Sequence, residues 1–182
     1  MIDFTPVREQ GAVFGPFAAA TDYHQLAPLT TEVYATIRQI IAAADDAAVA
    51  FVPRDPAQSD PAEHGWNIAH VLVHLTAGME EAGAHAVTLA RGITVEGRSR
   101  YETPWESVQT VAQVATRLAE SERMCNGFLQ AWPNTPDLAL TITPVPQFGP
   151  LNATARYLLG VMHADGHLEQ LREIMRQTGR TG

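Results

Sequence analysis

The chain has 182 residues, of which 46% are hydrophobic, and it carries 12 arginines, no lysine and a formal net charge of -8. This length and composition suffice for one domain with a sizeable core. The acidic balance argues against nucleic acid as a partner, and the absence of lysine excludes Schiff-base chemistry and a P-loop, which both need an ammonium group.

The N-terminal segment, residues 1–25, mixes glycine, proline and aromatic residues without a period. We expect an arm that packs on the surface of a single domain formed by residues 26–182. The chain starts without the charged and apolar regions of a secretory signal, and no stretch approaches the roughly 18 apolar residues of a membrane span. We therefore expect no membrane partner. The single cysteine, Cys125, cannot form an internal disulfide, so nothing indicates an oxidising compartment and we expect a cytoplasmic protein.

Two helices are predicted in the first half of the domain. The first covers residues 26–46, where valine and isoleucine recur at three- and four-residue steps and Pro28 suits the first turn. A loop follows at residues 52–65, which contain three prolines. The second predicted helix, residues 66–92, contains no proline and ends with Gly92 as a C-terminal cap.

Two further helices are predicted after these. The third covers residues 103–132 and begins with a capping box formed by Thr103 and Glu106, with proline at the first helical position. Residues 133–150 hold five prolines and predict a long irregular loop with at most a short extended segment, which would form a flap beside the bundle. The fourth helix covers residues 151–179, with Gly179 as its cap. Four long helices predict an all-α four-helix bundle.

Two histidine pairs have a spacing of four residues: His70 and His74 in the second predicted helix, and His163 and His167 in the fourth. The members of such a pair differ by about 40° around a helix, so both rings can point to one spot. Leucine and isoleucine share the stripe of His163 and His167, which predicts burial and a need for partners. A shared metal ion is one interpretation, and a solvated or hydrogen-bonded pair is the other. The intervening glutamate of metalloprotease helices is absent, which excludes that peptidase class.

A polar stripe follows the second predicted helix and places Glu81 and His85 in line with His74. Such a stripe is typical of the solvated face of a surface helix. The small residues Ala77 and Gly78 favour the alternative, in which the stripe lines a cavity. The three histidines outside the two pairs are interpreted as hydrogen-bonded structural residues.

Two segments resemble the signatures of the DinB-like superfamily. In WNIAHVLVHL, Trp66 is followed eight residues later by His74, as in the second helix of that family. In HADGHLEQL, His163 is followed by three residues, by His167 and then by Gln170, as in its last helix. The resemblance extends over the four predicted helices and leaves the N-terminal arm and the proline-rich loop uncovered.

The resemblance implies a four-helix bundle, often a homodimer, that binds a divalent ion, zinc or nickel, through His74, His163 and His167. Three imidazoles suit either ion and leave a position open for water or a substrate atom. The family includes enzymes that activate a low-molecular-weight thiol, so we expect a metal-dependent thiol S-transferase with a small-molecule substrate. Cys125 is outside the matched pattern, so the thiolate would come from the cosubstrate.

Three further residues are candidates for the same site. His70 and Glu81 are candidate catalytic proton acceptors, and Gln170 is a candidate cofactor-binding residue one turn beyond His167. Each has a structural alternative: a solvent-facing or outer-shell histidine, an exposed carboxylate, and a residue placed by helix packing.

Other functions stay open beside the transferase. A metal-dependent hydrolase would use metal-bound water as the nucleophile and His70 or Glu81 as the base. A stress-associated metal- or ligand-binding protein would show no turnover. A helical domain whose histidines are spaced by chance would bind no stoichiometric metal.

Overall fold

The computed structural model describes residues 2–54 and 61–180, so residues 55–60 of the predicted 52–65 loop lie outside the described residues. Within these ranges the regular structure is helical, apart from one isolated antiparallel bridge between Ile142 of the proline-rich loop and Leu151. The all-α fold class is therefore confirmed. The α-helices are α1 (Thr5–Arg8), α2 (Phe14–Ala19), α3 (Leu26–Ile40), α4 (Asp46–Ala50), α5 (Ile68–Ala90), α6 (Val111–Gln130), α7 (Ala153–Gly166) and α8 (Leu168–Thr178).

Helix α3 ends earlier than the first predicted helix. It begins with Pro28 in its first turn and stops at Ile40, six residues before the predicted end. The side chain of Asp45 then accepts a hydrogen bond from the Ala48 backbone amide and caps the short helix α4. Because an N-terminal cap needs an extended backbone at the capping residue, Asp45 interrupts the predicted continuation through residue 46.

The predicted start of the third helix is wrong. Thr103 does not cap it, and the proline that follows precedes a 3-10 turn, Trp105–Ser107. The capping box is formed instead by Thr110 and Gln113, whose side chains each accept a hydrogen bond from the other residue's backbone amide. Two segments of this chain therefore carry a capping pattern, and only the second is followed by the long amphipathic stretch that packs as a helix.

The fourth predicted helix is divided into two. Helix α7 ends at Gly166, α8 begins at Leu168, and His167 between them adopts φ -91° and ψ -5°. Glycine is a weak helix former, which permits an interruption at this point. The predicted caps are confirmed, because Gly92 and Gly179 both adopt the positive φ of a helix C-terminus.

Helix α5 lies at the centre of the fold and is buried along most of its 23 residues. It packs against α6 on one side and α7 on the other, and α3 completes the core between α6 and α7. The N-terminal segment contributes to the same core, because Phe4 and Phe14 are buried in the hydrophobic cluster of the long helices. Burial of one such ring stabilises the fold by roughly 1.5–3 kcal/mol.

No helix within residues 2–54 and 61–180 has both the length and the apolar character required to span a membrane.

Candidate metal centre

Three histidines from two helices meet at one point. His74 projects from the middle of α5, while His163 and His167 come from the end of α7 and its junction with α8. The Nε2 atom of His163 lies 3.0 Å from Nε2 of His74 and 3.3 Å from Nε2 of His167. Among the described residues, this is the cluster whose ligand atoms are close enough to share a metal ion.

These separations fit a divalent ion. Nitrogen ligands about 2.0–2.1 Å from a zinc ion are about 3.3 Å apart in tetrahedral geometry and about 2.9 Å apart at right angles. The two observed separations, 3.0 and 3.3 Å, lie within that range. The ligand atoms of all three histidines lie within 4.8 Å of one another, and imidazole nitrogen is a ligand that both zinc and nickel accept.

A close contact between α5 and α7 brings the histidines together. A Cβ atom on Gly160 would collide with the Cβ atom of Ala82, and one on Gly78 would lie 2.8 Å from Nδ1 of His163. Small residues at these positions allow the two helices to approach closely. One turn after Gly160, His163 consequently fits against Gly78, beside His74 of the facing helix.

A carboxylate orients the ring of His74. Oε1 of Glu102 lies 3.1 Å from Nδ1 of His74 and also 2.8 Å from Nε of Arg100. The Arg100 guanidinium in turn donates a hydrogen bond of 2.6 Å to the His74 backbone carbonyl. The carboxylate favours the proton on Nδ1, so Nε2 presents its lone pair to the other two histidines.

Gln170 orients the ring of His167. The Nδ1–H group of His167 donates a hydrogen bond of 2.9 Å to Oε1 of Gln170, and both side chains are buried. This bond leaves Nε2 of His167 as a lone-pair donor facing His163. Gln170 was expected on the inward stripe, and its contact is with a ligand histidine.

The arrangement of lone pairs favours a cation at the centre. With the protons of His74 and His167 on Nδ1, their Nε2 atoms both point lone pairs at Nε2 of His163. His163 has at most one proton there to share between them, and its Nδ1 is buried with no hydrogen-bond partner in the described part of the chain. A divalent ion would satisfy all three nitrogens at once.

Burial keeps the cluster in the form that binds metal. Loss of hydration lowers the pKa of His74 to about 2 and that of His163 to about 3, and it also lowers the pKa of His167. The positive charge of Arg100 adds to each shift. All three imidazoles are therefore neutral at pH 7, as metal ligation requires.

One tryptophan covers a side of the cluster, and a second is joined to it through His70. The ring of Trp66 lies 4.7 Å from that of His74 and 6.3 Å from that of His167. The ring of His70 is stacked between Trp66 at 4.1 Å and Trp105 at 5.0 Å. His70 thus forms part of the wall one turn from the ligands, and its expected role as a proton acceptor stays a prediction.

Glu81 anchors the segment that follows α5. Its Oε1 accepts hydrogen bonds of 2.8 and 2.9 Å from the backbone amides of Ser99 and Arg100, and its Oε2 lies 3.4 Å from the guanidinium of Arg156. Both carboxylate oxygens are engaged. Glu81 therefore fixes the loop that carries Arg100 and Glu102, and its predicted role as a base stays untested.

His85 belongs to the same network. Because an arginine can only donate, Nδ1 of His85 accepts from Arg156 at 3.3 Å, and its Nε2–H group donates to Oγ of Ser99 at 2.7 Å. The interpretation of His85 as a hydrogen-bonded residue agrees with this arrangement. In this tautomer His85 cannot take the Ser99 hydroxyl proton, so the pair is not an activated nucleophile.

The N-terminal segment also reaches the site. Arg8 forms an ion pair of 2.6 Å with Asp165 and donates a hydrogen bond to the backbone carbonyl of Met162, on either side of His163 in the sequence. Sequence analysis missed Arg8, Arg100 and Glu102. All three lie outside the long helices, where no period or spacing marks a side chain as part of a site.

A cavity of about 500 Å³ opens beside the histidines, with His163 and His167 in its wall. This volume is typical of pockets that hold a small ligand. Its wall is formed by α5, α7, the segment after α5, the proline-rich loop and Arg8. Three protein ligands leave a coordination position for a molecule that enters from this cavity.

Comparison with known families gives one match. A family model described as the DinB superfamily matches residues 29–171, which include the three histidines and Gln170. No curated protein and no solved structure matches the chain at a significant level.

Proposed function

The chain belongs to the DinB superfamily, and we propose that it is a zinc- or nickel-dependent enzyme that transfers a low-molecular-weight thiol to an electrophilic carbon. The main support is the convergence of the Nε2 atoms of His74, His163 and His167 beside an open cavity. An ion bound there would supply the Lewis acidity that lets a thiol lose its proton near neutral pH.

The chain's own groups prepare the site for this reaction. Glu102 and Gln170 hold two of the rings with their Nε2 atoms inward, and burial keeps the imidazoles neutral. The ring of Trp66 excludes water from one side of the cluster. Such partners of ligand histidines commonly change metal affinity by about 10–100-fold when they are replaced.

The cavity supplies space for the reacting molecules. The thiol proton passes to water in the cavity, a new carbon–sulfur bond forms, and chloride or an epoxide oxygen leaves with the bonding electron pair. Cys125 does not serve as the nucleophile in this proposal. Its side chain is buried, and burial raises the pKa of its thiol to about 12.

The geometry gives less support to hydrolysis. A hydrolase of the expected kind needs His70 or Glu81 as a base beside the ion. Both oxygens of Glu81 already bind backbone amides or Arg156, and the ring of His70 is stacked between two indoles. A thiol loses its proton more readily than water and does not depend on such a base.

Membership of the superfamily supports two further expectations. We infer that α3, α5, α6 and the α7–α8 pair form its four-helix bundle, and that the protein is a homodimer. Sedimentation of the untagged protein tests the homodimer. A mass of about one chain, 19.8 kDa, would count against it.

The first experiment measures metal. Elemental mass spectrometry on untagged protein should find about one zinc or nickel ion per chain in the wild type and in His24→Ala, whose exposed ring lies outside the cluster. The His74→Ala and His163→Ala variants should lose the ion. Absence of metal from wild-type protein, even after loading with either ion, would reject the proposal.

The second experiment measures turnover. Bacillithiol, mycothiol and other small thiols are supplied with 1-chloro-2,4-dinitrobenzene or an epoxide, and thiol consumption is followed with metal-loaded and chelator-treated protein. We expect consumption that depends on the ion and is absent in His163→Ala. A stoichiometric ion without consumption of any thiol would favour a metal- or ligand-binding protein without turnover.

A further inference from the structure

The cavity beside the histidines is rich in arginine although the chain is acidic. Its lining holds four arginines, namely Arg8, Arg98, Arg100 and Arg156, against two glutamates, Glu63 and Glu81, while the whole chain has a net charge of -8. An excess of positive charge in one cleft concentrates anions there. Repulsion between these positive charges also lowers the stability of the folded protein unless negative charges compensate it.

Three of the four arginines have an acidic partner. Arg8 pairs with Asp165, Arg100 with Glu102, and Arg156 with Glu81 at the longer distance of 3.4 Å. The fourth, Arg98, has no acidic partner among the described residues. Its side chain lies on the exposed segment after α5, at the edge of the cavity.

Arg156 lines the cavity and has one donor without a partner. Its side chain is only 7% exposed, and its Nε atom is buried without a hydrogen-bond partner within residues 2–54 and 61–180. A buried donor without a partner is unfavourable, and such groups are uncommon in native proteins.

The positive charges act on one another. Burial is the main cause that lowers the pKa of the guanidinium groups of Arg100 and Arg156, and the charge of Arg98 lowers both further. Arg98, Arg100 and Arg156 all line the one cavity.

Arg100 lies close to the metal ligands. A Cβ atom built on Gly78 would lie 3.8 Å from the guanidinium carbon of Arg100 and 2.8 Å from Nδ1 of His163. A molecule bound beside His163 would thus have a guanidinium group within reach. Glu81 binds the backbone amides of Ser99 and Arg100, so the backbone that carries Arg98 and Arg100 is held in place before a ligand arrives.

We propose that Arg98, Arg100 and Arg156 form an oxyanion-binding subsite, and that the molecule which reaches the metal centre carries a carboxylate or a phosphate. This inference deepens the proposed function and rests on the metal centre described there. Guanidinium groups bind both oxyanions through paired N–H donors. A neutral thiol would leave the charge of Arg98 uncompensated.

Matched pairs of thiols test the subsite. Cobalt-loaded protein is titrated with 3-mercaptopropionate and 6-mercaptohexanoate, and with the primary amide of each, and binding is followed by calorimetry and by the sulfur-to-cobalt absorption band. We expect at least one carboxylate to bind about tenfold more tightly than its amide, since charge-assisted hydrogen bonds are stronger than neutral ones. The preference should decrease as salt concentration rises.

Variants of Arg98 assign the preference to the cavity. Arg98 is exposed and has no acidic partner among the described residues, so its replacement should leave the fold intact. We expect Arg98→Ala to reduce the preference several-fold, Arg98→Glu to abolish it and Arg98→Lys to retain most of it. Arg172→Ala removes the same charge from α8, away from the cavity, and should leave the preference unchanged.

The outcomes separate this inference from the proposed function. Equal affinity for each acid and its amide would overturn the subsite while leaving thiol activation supported. A missing absorption band with every thiol would instead count against thiol activation. In that case the subsite is tested by calorimetry with succinate and with inorganic phosphate. The subsite is supported only if one of these anions binds to the wild type and does not bind to Arg98→Glu.

Discussion

Replacement of Gly78 by alanine is expected to weaken metal binding while the protein stays folded. The new Cβ atom would lie 2.8 Å from Nδ1 and 3.0 Å from Cε1 of His163. Ordinary van der Waals contact begins at 3.4 Å, so the ring must retreat by about 0.6 Å. Because that ring supplies the nitrogen that is close to both other ligands, we expect metal affinity to fall about 10–100-fold.

The effect of this substitution on folding should be small. Alanine in place of glycine within a helix stabilises by roughly 0.5–1 kcal/mol, and crowding of a packed site costs about 1–3 kcal/mol. The free energy of unfolding of metal-free protein should therefore decrease by about 2 kcal/mol or less. Urea unfolding in the presence of a chelator measures this term separately from metal affinity.

Gly127→Ala is the matched control. Gly127 lies on the exposed face of α6, where a Cβ atom would meet nothing within 4 Å. This variant should gain the helix stabilisation and keep wild-type metal affinity, measured by competition with a chromophoric chelator. If Gly78→Ala also binds metal as tightly as the wild type, the close contact of α5 and α7 is not what positions His163.

Three further predictions concern the neighbours of the ligands, the buried thiol and pH. Gln170→Leu removes the acceptor of the His167 Nδ1 proton and should lower metal affinity about tenfold in the chelator competition. Gln170→Glu keeps an acceptor at this position and should retain most of the wild-type affinity. Equal affinities of the wild type and Gln170→Leu would contradict the orienting role. Because burial raises the pKa of Cys125 to about 12, its thiol should resist iodoacetamide at pH 8 in the folded protein and react in urea. Mass spectrometry measures the labelling, and rapid labelling of the folded chain would contradict the burial of Cys125. In metal-free protein, burial lowers the pKa of His74 and His163 from 6.5 to about 2 and 3, so the unfolded chain binds more protons below pH 6.5. The contribution of these two histidines to the free energy of unfolding is fully present above about pH 6.5 and is lost as the pH falls toward 3. The Tm should therefore fall on acidification, and it should fall by less in a His74→Ala, His163→Ala double variant.

The histidine cluster could be predicted from sequence because its members have regular spacing. A separation of four residues places two side chains on one face of a helix, and the DinB-like signature relates His163 and His167 to His74 across the bundle. The structure brings these three side chains together and adds Gln170 as a hydrogen-bond partner. Periodic signals of this kind survive because regular helices fix the direction of each side chain.

The remaining parts of the site could not be predicted. Glu102 and Arg98 lie on an irregular segment, where the direction of a side chain depends on tertiary contacts such as the bonds from Glu81. The start of α6 was predicted at Thr103 because two capping patterns precede it, and local sequence does not state which of them the packing selects. The interruption at His167 likewise depends on contacts beyond the helix, including those of Arg8 at its end.

The stacked rings of Trp66, His70 and Trp105 give the protein a built-in optical reporter. Trp66 lies against the histidine cluster and Trp105 against the neighbouring His70, while Trp132 is stacked on Tyr23 away from it. Indole fluorescence responds to the charge and the electronic structure of its immediate neighbours. Occupancy of the site by nickel or cobalt should therefore quench part of the emission, and the arrival and loss of the ion can be followed in real time on unlabelled protein.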